Sequence, residues 1–170
     1  MLFRSKYSCN GERIVVFGLA NEQITGEAVT KAITPMAFII LENEIRETAK
    51  ETFEYFKKQG VAIKVISGDN PLTASKVAIR AGIDDATYYI DATTLKTDKD
   101  IADAVQKYTV FGRVIPEQKK KIIEAFKMAG NVVAMTGDGV NDVLALKCAD
   151  CSVARSEEHT SELQSQRDIS

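Results

Sequence analysis

The chain has 170 residues, 45% of them hydrophobic and 27% charged, which is enough for one ordinary globular domain with a sizeable core. A net charge of −2 excludes a general attraction to nucleic acid or to an anionic membrane. The longest clean apolar run, residues 36–41, falls far short of the roughly 20 residues of a membrane helix, and no signal-peptide pattern opens the chain.

In chain order, residues 13–19 (RIVVFGL) and 36–41 (MAFIIL) are rich in Val, Ile and Phe and read as strands. Ile45, Ala49, Thr52, Phe53 and Phe56 then recur at helical spacing, and Gly60 follows as a stop. Residues 61–66 (VAIKVI) are an apolar run of strand length. Residues 70–82 read as a helix with Pro71 at its first position and Gly82 at its end. Residues 86–91 are a short strand candidate. Ile101, Ala104, Val105 and Tyr108 make another helical stripe, and 109–112 a strand. Residues 116–130 are again opened by Pro and closed by Gly. Residues 131–135 read as a strand, 142–149 as a helix and 151–154 as a short strand.

Strands alternate with helices, and several strands are almost wholly apolar. That pattern predicts an α/β fold whose parallel sheet is covered on both faces. Ligands of such sheets sit at the carboxyl ends of the strands, so the loops that follow strands are where chemistry belongs.

Three of those loops are unusual. In ISGDNP (66–71), Ser67, Gly68 and Asp69 lead from a strand into a helix whose N-terminus offers free N–H groups and partial positive charge. Taken alone, this loop reads equally as a plain N-cap by Asp69 or Asn70. In VFGRVIPEQKKK (110–121), Lys119, Lys120 and Lys121 fall in the first turns of a helix, where cations oppose the helix dipole unless an anion lies nearby. Taken alone, a solvated charged face is the simpler account. Arg113, at a strand end, is a further donor for phosphate or ribose.

The third loop, TGDGVND (136–142), is the most informative. Gly137 and Gly139 permit close backbone approach, Asp138 and Asp142 supply hard oxygen ligands, and Thr136 and Asn141 add polar contacts. Mg²⁺ is usually held by one or two carboxylates plus substrate phosphate and water. The competing account is a turn with Asp142 as N-cap. A hydroxyl on a phosphate loop, a lysine on a helix start and a carboxylate loop suit phosphoryl transfer, which works by positioning and charge neutralisation. Transfer through an enzyme-bound phosphate also needs a nucleophilic Asp at another strand end. The first aspartate of the chain is Asp69, and Asp91, in YIDATTL, reads as capping or turn chemistry.

These stretches, in this order, resemble the phosphorylation domain of P-type cation-transporting ATPases, within the haloacid dehalogenase-like superfamily. The residues that carry the likeness are VISGDNPLTASKVAIRAGI, VFGRVIPEQKKKII and MTGDGVNDVLALKCAD, and it covers about residues 12–154. The resemblance implies a Rossmann-like sheet and an aspartyl-phosphate formed from ATP with Mg²⁺, on a cytoplasmic head of a multi-pass membrane pump. It implies that Ser67 (where the family usually has Thr) and Gly68 hold the phosphoryl group, and that Asp69 and Arg113 contact nucleotide. Lys119 would neutralise the aspartyl-phosphate. Asp138 would bind Mg²⁺ with Asp142, Asn141 and Asp142 would order the site, and Gly137 and Asn141 would lie against phosphate or nucleotide. Arg46, in LENEIRE, matches the Arg of the family's D-P-x-R-like segment, although Asn43 stands where Asp is usual.

The family's D-K-T-G-T motif is not in the chain. The resemblance therefore implies a fold lacking the nucleophile strand. Residues 1–35 would be a remnant of the nucleotide-binding domain and its return linker, and 36–154 part of the phosphorylation domain. The partners would be ATP and the nucleotide-binding, actuator and transmembrane domains of one polypeptide. VAIKVISGDNP and ALKCADCSVA resemble pumps described as calcium or magnesium transporters, with calcium the expected ion. A stand-alone phosphatase of the superfamily, which needs a D-x-D-like motif, and a non-catalytic nucleotide-binding module are the rival readings.

Two features stand apart. Cys9, Cys148 and Cys151 are too few for a disulfide framework, and the Cys148/Cys151 pair reads as two small buried residues rather than a metal or redox site. From Arg155 onward, RSEEHTSELQSQRDIS has no apolar period and resembles a translated sequencing adapter, so 155–170 are expected to be a disordered artefactual tail.

Overall fold

The structure is a computed structural model that describes residues 13–20, 33–41, 44–137 and 141–155. Its elements follow the order β1 (Arg13–Ala20), β2 (Ile33–Leu41), α1 (Ala49–Lys58), β3 (Val65–Ile66), α2 (Pro71–Ala81) and β4 (Tyr89–Asp91). A 3₁₀ turn (Ala92–Thr94) comes next, then α3 (Asp98–Lys107), β5 (Val110–Gly112), α4 (Pro116–Met128), β6 (Ala134–Gly137), α5 (Val143–Cys148) and β7 (Cys151–Ala154).

The centre is a parallel sheet of order β3-β5-β4. All three residues of β5 are buried, and they alternate across it. Val110 faces Ala74, Ala78 and Ala86 on the α2 side. Phe111 faces Ile101, Val105, Ile122 and Phe126 on the α3 and α4 side, with its ring edge-on to Phe126 at 6.2 Å. This is the two-faced cover expected of a near-continuous apolar strand. A second parallel pair, β6-β7, packs its Met135 against Ile123, Ala145 and Leu146. Helix α4 thus serves both sheets, giving Ile122 and Phe126 to one core and Ile123 to the other.

Local chemistry sets the helix limits. Asn70 accepts a hydrogen bond from Leu72 N (3.0 Å) and so caps α2 ahead of Pro71, and Gly82 closes it with φ of 86°. A reciprocal Thr97/Asp100 capping box starts α3.

Strand β6 lies at Ala134–Gly137 rather than 131–135, and the structure differs from the sequence expectations at three further points. The strands near residues 13–19 and 36–41 do not join a parallel sheet; they pair with each other, antiparallel, with a register shift at Phe17/Gly18. Antiparallel neighbours need no crossover helix between them. Val16, Phe17, Met36 and Ile39 of this ribbon are all exposed. The run 61–66 contributes only Val65 and Ile66 to a ladder, because with Val65 opposite Val110 the positions facing 61–64 are the end of α3 and the short link to β5. Cys148 is half-buried and Cys151 exposed, rather than both buried: all four residues of β7 are open to solvent.

Candidate active site

Two groups of predicted residues gather at the carboxyl ends of the strands. The first is built on the β3–α2 loop. Ser67 Oγ accepts from Asp69 N at 3.1 Å, closing a tight turn over Gly68. The loop is then stitched to the end of β5: Ser67 N donates to Phe111 O (2.9 Å), Val114 N to Ser67 O (3.0 Å), and Arg113 N to Asp69 O (2.7 Å). Because Asn70 is the helix cap, the Asp69 side chain is not used for capping and stays exposed. Gly112 makes the approach possible. A Cβ there would lie 2.3 Å from Pro71 Cα, so any side chain would push α2 off the strand.

The second group links α4 to the loop after β6. Lys119 Nζ lies 2.5 Å from Asp142 Oδ1, and the two side chains are only 14% and 10% exposed. The three consecutive lysines therefore divide. Lys120 pairs with Glu124 (3.5 Å) and Lys121 with Asp98 (2.7 Å) on the surface, as a solvated face would. Lys119 alone of the three turns inward to a buried carboxylate. Asp142 makes no side-chain cap to α5, so its role as a plain N-cap does not apply. A Cβ on Gly137 would sit 2.5 Å from Asp142 Oδ2, so the glycine leaves the space the carboxylate occupies. Asn141 is exposed beside it, and Asp138 and Gly139 lie outside the described residues.

Asp142 offers Oδ2 for a further partner, since Oδ1 is engaged by Lys119. An oxygen of this kind could serve a hard cation such as Mg²⁺. Among the described residues no group of three or more His, Cys, Asp or Glu gathers as a ready-made metal cage.

Arg113 sits at the same edge but reaches sideways. Its Nη1 donates to Asp91 Oδ2 at 2.7 Å, across the β5–β4 register that sets Asp91 opposite Gly112. Asp91 Oδ1 in turn accepts from Thr93 N (3.0 Å) and Thr93 Oγ1 (2.7 Å). These Thr93 bonds, together with the guanidinium, hold the Asp91 carboxyl below the usual carboxylate range. Asp91 does cap the 3₁₀ turn, as its sequence context suggests. The pairing with Arg113 had no sequence signal, since it depends on which strands become neighbours.

Arg46 is not brought to this edge. It lines a shallow cleft with Glu44, Glu47, Lys50 and Arg80. Arg80 is in the last turn of α2, whereas Ser67–Asn70 precede its first. Eleven helical residues, roughly 16 Å of helix, separate the two ends.

A family model described as haloacid dehalogenase-like hydrolase matches residues 9–150, and the chain belongs to that family. Its similarity to P-type cation-transporting ATPases is strong. It is 44% identical to the "Probable cation-transporting ATPase exp7" of Streptococcus pneumoniae, over 86% of this chain and 19% of that protein. To the "Calcium-transporting ATPase CtpE" of Mycobacterium bovis it is 42% identical, over 88% of this chain and 19% of that protein. The chain thus spans about a fifth of the length of these relatives. A solved structure, "Structure of catalytic CPx-ATPase domain CopB-B", aligns with a TM-score of 0.50 at 30% identity, over 72% of this chain and 40% of that one. Among the described residues no helix is long and apolar enough to cross a membrane.

Proposed function

We propose that residues 36–154 form part of the phosphorylation domain of an ATP-driven cation pump. The pump couples ATP hydrolysis, through an aspartyl-phosphate, to ion transport across the cell membrane, with this segment on the cytoplasmic side. The observation that carries the reading is the buried Lys119–Asp142 pair at 2.5 Å, set against a glycine that leaves room for the carboxylate. A cation fixed in this way, next to a carboxylate with an oxygen to spare, is equipped to receive a phosphate and its counter-ion together.

In this reading Ser67 and Gly68 present a hydroxyl and an open backbone to the transferring phosphoryl group, and Lys119 supplies a nearby positive charge. Asp69 and Arg113 contact nucleotide, while Gly137 and Asn141 shape the loop. Mg²⁺, held by Asp138 and Asp142, would offset phosphate charge when bound. The nucleophile is the Asp of a D-K-T-G-T segment outside these 170 residues; among the described residues β3 and β6 are each paired on one side only, which suits a strand between them. Helix α4 already packs on both sheets, and Ile66 of β3 joins both of its cores, which supports a single missing strand between them. Calcium is assigned as the ion from the likeness to the calcium-transporting relative.

The purified chain, offered radiolabelled ATP and Mg²⁺, should take up no acid-stable label; labelling would overturn the assignment of the nucleophile to another segment. A chimaera in which residues 13–154 replace the matched part of the M. bovis calcium-transporting ATPase should restore ATP-dependent calcium uptake to membrane vesicles. A folded, membrane-inserted chimaera that moves no calcium would contradict the pump reading.

A further inference from the structure

Arg113 is held in an uncommon way. Its backbone has φ of 54°, in the left-handed region that non-glycine residues seldom adopt. Its amide is tied to Asp69 O at 2.7 Å, and its guanidinium is drawn to the β4 side of the sheet by Asp91. Asp91 cannot swing to follow it, because Oδ1 is bound by both the amide and the hydroxyl of Thr93. The pair is half-open to solvent, at 47% for Arg113 and 25% for Asp91, so a ligand can reach the rest of the guanidinium. Since β4 and β3 flank β5, Asp91 stands two strand spacings, about 10 Å, from the end of β3 that carries Ser67.

We propose that Asp91, braced by Thr93, is a positioning residue that sets the Arg113 guanidinium at the β4 side of the site, as a fixed contact for the part of the nucleotide remote from the transferring phosphate. The inference rests on the reading of Arg113 as a nucleotide contact. A long side chain free to sample its rotamers loses entropy on binding, and anchoring one nitrogen in advance lowers that loss while leaving donors free. The surface ion pair with Arg113 adds little stability of its own.

The test follows the Arg113 side-chain N–H signals of the whole 170-residue chain by NMR during titration with Mg²⁺–ATP. Asp91→Asn keeps an acceptor for Thr93 but removes the charge, and an unchanged Thr93 amide signal certifies the fold. In the unsubstituted chain the Arg113 signals should be resolved and should move with ATP. In Asp91→Asn they should broaden, and the titration midpoint should rise about tenfold, towards that of Arg113→Ala followed on backbone amides. Asp91→Glu should bring the midpoint back to within about threefold. If Arg113→Ala weakens ATP binding and Asp91→Asn does not, Arg113 keeps its role and the positioning role of Asp91 is overturned. If ATP leaves the Arg113 signals of the unsubstituted chain unmoved, the nucleotide reading of Arg113 is overturned, and this inference with it.

Discussion

Lys119 is the residue on which most depends, because its partner is buried. Removing it leaves the Asp142 carboxylate without a counter-charge, the costly half of any buried ion pair. Lys119→Ala should therefore lower stability by about 3 kcal/mol, whereas the paired change Lys119→Met with Asp142→Leu should come close to neutral. Urea unfolding of the three proteins checks this, and equal losses in both variants would mean that the pair is not desolvated. Gly112 sets a second limit. A Cβ there meets Pro71 backbone and ring atoms at 2.3–2.6 Å, none of which can rotate away. Gly112→Ala should cost about 1–3 kcal/mol in the same assay. The role of Lys119 was half legible in the sequence, and that of Gly112, which depends on how closely α2 approaches β5, was not. The motif marks Lys119 among three lysines, yet only the fold shows that Lys120 and Lys121 take surface carboxylates.

At the scale of elements, helix borders were the most readable feature, for a local reason. Pro71 and Pro116 open helices and Gly82 ends one, and each acts through its own backbone. Asn70→Ala should destabilise the chain by about 1 kcal/mol through loss of the α2 cap, while Asp69→Ala should leave the thermal midpoint unchanged. Carboxylates tie several elements together. Thr93 and Arg113 lower the pKa of Asp91, the Thr97 amide and hydroxyl with the Lys96 amide lower that of Asp100, and Lys127 and the Val133 amide lower that of Asp150. A carboxyl with a depressed folded-state pKa stabilises the fold above its unfolded value, near 3.9, and loses that contribution as pH falls through its folded value. The thermal midpoint should therefore vary little from pH 7 to 5 and drop below about pH 4. A midpoint that rises on acidification would contradict these contacts. Strand pairing was less legible: β1 and β2 carry the same apolar residue types as the parallel strands, and only the register distinguishes them.

For the whole molecule, the α/β alternation and the edge that carries the site could be read in advance, since buried parallel strands and their following loops leave a strong pattern. Distances between segments could not. Arg46 was grouped with the site by motif, yet it lies at the far end of α2 beside Lys50 and Arg80. The link between Asp91 and Arg113 also needed the β4–β5 pairing. The larger pattern is a site set at the ends of two parallel sheets that share α4 but no ladder. The most direct test is labelled-ATP phosphorylation of the pump chimaera carrying residues 13–154, with Lys119 intact and as Lys119→Ala. A calcium-dependent, hydroxylamine-sensitive phosphoprotein that is lost in Lys119→Ala is the predicted result. Equal labelling of both, or none in a folded chimaera, would contradict the placement of Lys119 in a phosphoryl-transfer site.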